Sequence, residues 1–261
     1  MVYKFSRRTT FYIYLSALIM MFVFLVVNLV TAIWIPNTVA KELSYGERVS
    51  YHYSLFTTQS NYLVAFYFAF YLYTLYSNKS SPSFVIRLAV TVYISITMLI
   101  FWFGIITHAY MHEDYSAYNW VSTIILHLIM PIIMISSFIV TSGKEQIFIR
   151  KWYHKYLWLI GLYPALYSII NLVRGYIRYL DRKPVETWYP YFFFNFNQRY
   201  GWLIVSSAII VIFGLVFSLQ YLYIWINNLK FKRSQNKEAR LEVEYQKTLT
   251  KVDKKIRKKA K

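Results

Sequence analysis

Residues 49–78 read VSYHYSLFTTQSNYLVAFYFAFYLYTLYSN, a run without a single Asp, Glu, Lys or Arg. A helix rises about 1.5 Å per residue, so about 20 apolar residues cross a hydrocarbon core, and this run is long enough to do so. Near its head stands a polar box, Phe56-Thr57-Thr58-Gln59-Ser60-Asn61. Three hydroxyls and two amides in an apolar medium cost solvation free energy unless they pair. They either bond helices to one another or do chemistry.

Five further uncharged runs surround it: Phe11 to Ile35, Leu88 to His112, Tyr115 to Gly143, Tyr156 to Val173 and Tyr200 to Leu229. The chain is 57% hydrophobic and 21% aromatic, with only 15% charged residues, and those are clustered. Such composition belongs to integral membrane proteins. The expectation is an all-α, polytopic bundle of six transmembrane helices, at about 11–35, 53–77, 86–110, 118–141, 155–178 and 200–228. The first run exceeds a signal-peptide core of about 7–15 residues, so it is expected to remain as a helix.

Charge orients this bundle with both termini in the cytoplasm. That side then holds Lys4, Arg7, Arg8, Lys79, Arg87, Lys144, Arg150, Lys151 and Lys155 against one acid, Glu145. Basic residues of short loops favour the cytoplasm. The tail from 230 to 261 weighs most heavily, with thirteen Lys or Arg against four acids in a chain of net charge +18. Anionic lipid headgroups are its expected partner. No stacking pattern or recognition motif accompanies the charge, so nucleic acid is not expected.

Cysteine is absent, which excludes disulfides and thiolate nucleophiles. There is no Gly-rich phosphate loop, no GxSxG and no HExxH. Any catalysis must therefore occur between the helices. Of the five histidines only His127 falls deep within a run. Entering near Trp120, the fourth helix places His127 roughly 10 Å below the outer interface, and the second places Thr57 and Thr58 about 6–8 Å deep. A neutral imidazole beside a Thr hydroxyl is a general base for attack on an ester. Asn61 lies one helical turn from Thr57, where it can hold a ring, a water or an oxyanion. The alternative is that these side chains are hydrogen-bonding contacts between helices.

The pieces Phe56-Thr57-x-x-Ser60-Asn61-x-Leu63, His127-x3-Pro131, Pro164-x2-Tyr167, Arg174-Gly175 and Trp188-Tyr189-Pro190-Tyr191-Phe192 occur in that order. Over roughly residues 50 to 225 they resemble the androgen-induced-protein family of six-helix membrane proteins and its bacterial relatives. The resemblance implies an intramembrane hydrolase of esters between fatty acids and hydroxy fatty acids, in a multi-pass protein of a bacterial plasma membrane. It implies Thr57 as nucleophile and His127 as base, with Thr58 replacing Thr57 if the register slips by one. Neither a metal nor another cofactor is implied.

Rival accounts exist for the remaining motifs. Pro131 and Pro164 kink helices, and their kinks can open a lipid-sized cleft. Arg174 snorkels to headgroups or grips a lipid carboxylate or phosphate. Residues 188–194 form an interfacial aromatic belt, a re-entrant cap or a lid. His108 and His112, spaced i and i+4, would with Glu113, Asp114 and His52 make an outer zinc site whose bound water attacks instead. A transporter or scaffold is the non-enzymatic alternative. Against transport, no run buries an Asp or Glu to couple ions.

Overall fold

A computed structural model of the chain describes residues 6–36, 40–106 and 117–259, with the side chains of 117–119 and 248–259 outside the description. Among the described residues the structure is helical, with no strand. Helix α1 is Arg7–Trp34, started by the Ser6 hydroxyl, which accepts from Thr9 N–H at 3.1 Å. Helix α2, Tyr45–Ser54, begins with a capping box in which Ser44 and Glu47 satisfy each other's backbone N–H. Leu55 breaks the chain, and α3 follows as Phe56–Tyr76. The uncharged run that opened as one helix is therefore two, with the polar box in the first turns of α3.

Helix α4, Phe84–Ile100, starts at the Ser83 cap and runs into a π-helical turn, Phe101–Ile105. Helix α5, Ala117–Ile124, leads through a second π turn, Ile125–Ile129, into α6, Met130–Thr141. A short α7, Ile149–Lys155, precedes α8, Leu157–Leu180. Two 3-10 turns, Val185–Thr187 and Phe192–Phe194, sit in the next connection. Finally α9 runs unbroken over Gly201–Lys259, 59 residues or about 90 Å. The basic tail expected to begin at 230 is a continuation of this helix.

Five helical stretches are long and apolar enough to cross a membrane: Arg7–Trp34, Phe84–Ile105, Trp120–Thr141, Leu157–Leu180 and Gly201–Lys247. Helix α3 is also 21 residues long, but its polar box and tyrosines lower its hydropathy. Helix α4 is central, with 67% of its span buried against 17% in α1 and α9. It packs between α3, α6 and α9. One core cluster joins α4, α8 and α9 through Leu88, Val92, Ile160, Val216 and Ile224. The other joins α1, α3, α4 and α6 through Met21, Phe68, Ile94, Met130 and Met134. The outer faces are apolar as well, with Phe22 on α1 and Ile210 and Trp225 on α9 more than half exposed. An apolar exterior around a packed interior is what lipid solvates.

Helix α2 is tied to the far end of α8. Glu47 pairs with Arg178 at 3.4 Å and Lys183 at 3.2 Å. The bonds from Ser44 and then Lys183 hold its carboxyl down at about 2. At the other end of the bundle, Gly143 adopts φ +89°, the left-handed conformation that ends α6. Its N–H donates to Asn227 Oδ1 at 2.8 Å. Nearby, Arg87 of α4 is buried, donates to the terminal Thr141 carbonyl of α6 at 3.1 Å and lies over the Phe84 and Phe138 rings. A cation at a helix C-terminus offsets the carbonyl dipoles there.

Candidate active site

The polar box is bonded outward to several helices. Ser60 is fully buried and meets Thr97 of α4 hydroxyl to hydroxyl at 2.7 Å. Gln59 donates to the Tyr53 carbonyl and accepts from Tyr163 of α8, each at 2.7 Å. Asn61, fully buried, donates to the carbonyls of Thr57 at 2.9 Å and Leu126 at 3.2 Å. Thr58 is buried too, whereas Thr57 stays half-exposed.

The second bond of Asn61 has a cause in Pro131. Proline has no N–H, so it cannot serve the carbonyl four residues back, and in a π turn it cannot serve the one five back. Those carbonyls belong to His127 and Leu126. The Trp102 indole N–H supplies the first at 3.0 Å, and Asn61 supplies the second. Pro164 does the same to the Ile160 carbonyl, which receives the Tyr93 hydroxyl at 2.9 Å. Both proline irregularities are thus compensated by side chains of neighbouring helices.

His127 sits in the π turn itself. Its ring stacks on Phe101 at 3.7 Å between centroids and 24° between planes. Its Nδ1 lies 3.1 Å from the Thr123 carbonyl. A carbonyl only accepts, so this bond places the ring hydrogen on Nδ1 and leaves Nε2 with its lone pair. The turns bearing Thr57 and His127 adjoin, because one Asn61 amide nitrogen holds the carbonyls of Thr57 and Leu126. No hydrogen bond joins the two side chains among the described residues.

The Thr57 hydroxyl instead meets Tyr191, at 3.4 Å, and the Thr57 N–H donates to the same phenol oxygen at 3.3 Å. Helix α3 has no side-chain cap at Leu55, and Tyr191, 134 positions away, serves that end. Burial pushes the Tyr191 phenol above its ordinary range, while its bonds to Thr57 pull the other way. Both residues line a cleft of about 410 Å³, its open mouth included. Thr97 and Ile100 of α4, Pro164 and Tyr167 of α8, and Phe193 and Phe194 of the connection are among the other residues of the wall. His127 is not part of that wall.

The segment 188–194 covers the cleft as a cap. Arg174 donates to the Trp188 carbonyl at 3.2 Å and Arg178 to the Thr187 hydroxyl at 2.8 Å. The Tyr189 ring lies against Gly175, where an added Cβ would come within 2.1 Å of it. Tyr189 then donates to Asn197 at 2.7 Å. Arg174 therefore anchors the cap through one nitrogen, while its Nη2 is buried without a hydrogen-bond partner.

His52 is buried in α2, and its Nε2 has no partner. Burial pushes its imidazole down to about 4. The other proposed zinc ligands, His108, His112, Glu113 and Asp114, lie outside the described residues. Among the described residues no three metal-ligating side chains gather at one point.

Tyr191 and Tyr163 are the partners that no sequence spacing pointed to. Tyr191 stood in the 188–192 motif without a partner assigned to it, and Tyr163 is one of 27 tyrosines, among which one more carries no signal. No family model matches the chain, and no curated protein or solved structure matches it either.

Proposed function

We propose that the chain is a multi-pass protein of a bacterial plasma membrane that hydrolyses a lipid ester between its helices. Six spans cross the bilayer in this reading, α3 being the sixth, with both termini cytoplasmic. An acyl chain enters the apolar cleft, Thr57 is the nucleophile and His127 the general base. The observation that carries the proposal is the Thr57 hydroxyl on the wall of a mostly apolar cleft. Three further features support it. The Thr123 carbonyl leaves His127 Nε2 as the basic nitrogen, Asn61 holds the two turns together, and the motif order resembles that of intramembrane threonine hydrolases.

In the step so assigned, Thr57 Oγ1 bonds to the ester carbonyl carbon and its proton passes to His127 Nε2. The tetrahedral intermediate then expels the alcohol, which takes that proton back. Water, deprotonated in turn by His127, adds to the acyl carbon, and the intermediate expels Thr57 Oγ1, which takes the proton from His127 as the fatty acid leaves. A fluorophosphonate probe should label Thr57 in detergent-solubilised protein, and Thr57→Ala and His127→Ala should each abolish the label, with chelators without effect. Label retained in Thr57→Ala would sink the assignment.

The bonds of Gln59, Ser60 and Asn61 to three other helices favour a second reading, in which the box only holds the bundle together. That reading expects the intact chain to remain unlabelled.

A further inference from the structure

We infer that Tyr191 is a catalytic residue, donating its phenol hydrogen to the oxyanion that forms when Thr57 attacks. The inference rests on the hydrolase reading and adds to it a group from outside the helices. Attack by Thr57 Oγ1 turns the ester carbonyl oxygen into an alkoxide bonded to the same carbon, so that oxygen forms beside Oγ1. A donor for it must already stand there, on the cleft side. The Tyr191 hydroxyl, 3.4 Å from Oγ1 and part of the cleft wall, is so placed.

Its hydrogen is available for the task. The phenol oxygen accepts from the Thr57 N–H. In the contact between the Thr57 and Tyr191 hydroxyls either oxygen can donate, so the phenol has an O–H to offer once Thr57 has given its proton to His127. The phenol O–H then faces the new negative charge, beside the first turn of a helix with no side-chain cap, while the Thr57 N–H stays on the phenol oxygen. When the intermediate collapses, the carbonyl re-forms and the phenol keeps its hydrogen throughout, so no proton is gained or lost at Tyr191.

Preorganisation comes from the cap. The Tyr191 ring stacks on Phe193 at 5.1 Å with 10° between planes. Arg174 and Arg178 fasten the preceding residues to α8. A donor held before reaction costs no reorganisation during it.

The experiment compares the full chain with Tyr191→Phe and Tyr189→Phe in detergent. The rate of fluorophosphonate labelling at Thr57 is read together with kcat and KM for a short-chain p-nitrophenyl ester and with the melting temperature. Tyr189→Phe deletes a hydroxyl of the same cap that, among the described residues, bonds Asn197 alone. Tyr191→Phe should label about 100-fold more slowly and lose kcat with KM unchanged. Tyr189→Phe should label at the wild-type rate. Labelling of Tyr191→Phe within threefold of wild type overturns the inference, as does an equal fall in Tyr189→Phe, which would trace the effect to cap packing. A wild-type chain unlabelled at Thr57 removes the hydrolase reading itself, and this residue's role with it.

Discussion

At the scale of single residues, the histidines divide by what holds them. His127 has an oriented tautomer, whereas His52 is shut away with Nε2 unbonded, and only the neutral ring tolerates that. An unfolded histidine titrates near 6.5, and the folded His52 near 4. The unfolded state therefore binds the proton first. Stability is fully present above about pH 6.5 and falls as pH drops toward 4, by on the order of 3 kcal/mol. Melting temperatures in detergent should decline over that window, and His52→Leu should flatten the decline. A slope unchanged in His52→Leu would assign the acid sensitivity elsewhere. Residue identity made Thr57, Asn61 and His127 legible, since polar groups in an apolar run demand a partner. The partners of the polar box were not legible, because Tyr191, Tyr163 and Thr97 are 134, 104 and 37 positions from Thr57, Gln59 and Ser60, which they bond.

At the scale of elements, each proline makes a defect that a neighbour repairs. Trp102 bonds the His127 carbonyl only because Pro131 cannot. Trp102→Phe should then cost about 1 kcal/mol of stability, the usual worth of such a bond. In a Pro131→Ala background, where position 131 regains its N–H, the same substitution should cost markedly less. Equal costs in both backgrounds, measured by a double-mutant cycle in detergent, would break the link. Caps and ends were partly readable: Ser44 three residues before Glu47 is a start signal for α2. The break at Leu55 was not, since neither glycine nor proline marks it. The unbroken α9 has a legible cause, as Gly214 is the last glycine in the chain and no proline follows Gly201 to stop the helix. The two π turns bring Phe101 and His127 into a ring stack, which periodicity does not report.

At the scale of the whole molecule, the absence of cysteine offers a direct view of topology. Single cysteines placed at Ser80 and at Ser234 should react with a membrane-impermeant maleimide only from the cytoplasmic face. One at Ser44 should react only from the other. Labelling of Ser44 and Ser80 from the same side would remove α3 as a span. The class of the fold was readable from uncharged runs alone, because lipid leaves a chain of this composition few architectures. A cleft and a cap at 188–194 were among the accounts the sequence offered, but which groups line the cleft was not readable, since they come together only where α3, α4, α8 and the 188–194 segment converge.

Helix α9 is gripped where it leaves the bundle. Asn227 and Asn228 bond the 143–147 stretch, and Lys230 bonds the Ile139 and Val140 carbonyls at the end of α6. Beyond that grip about 30 residues continue in the same helix, an arm of about 45 Å. With no joint between the two parts, the grip is a fulcrum, and a tilt of about 10° inside the bundle swings the far tip by about 8 Å. Small strains around the cleft are thereby amplified into displacements that a distance probe at the tip can resolve.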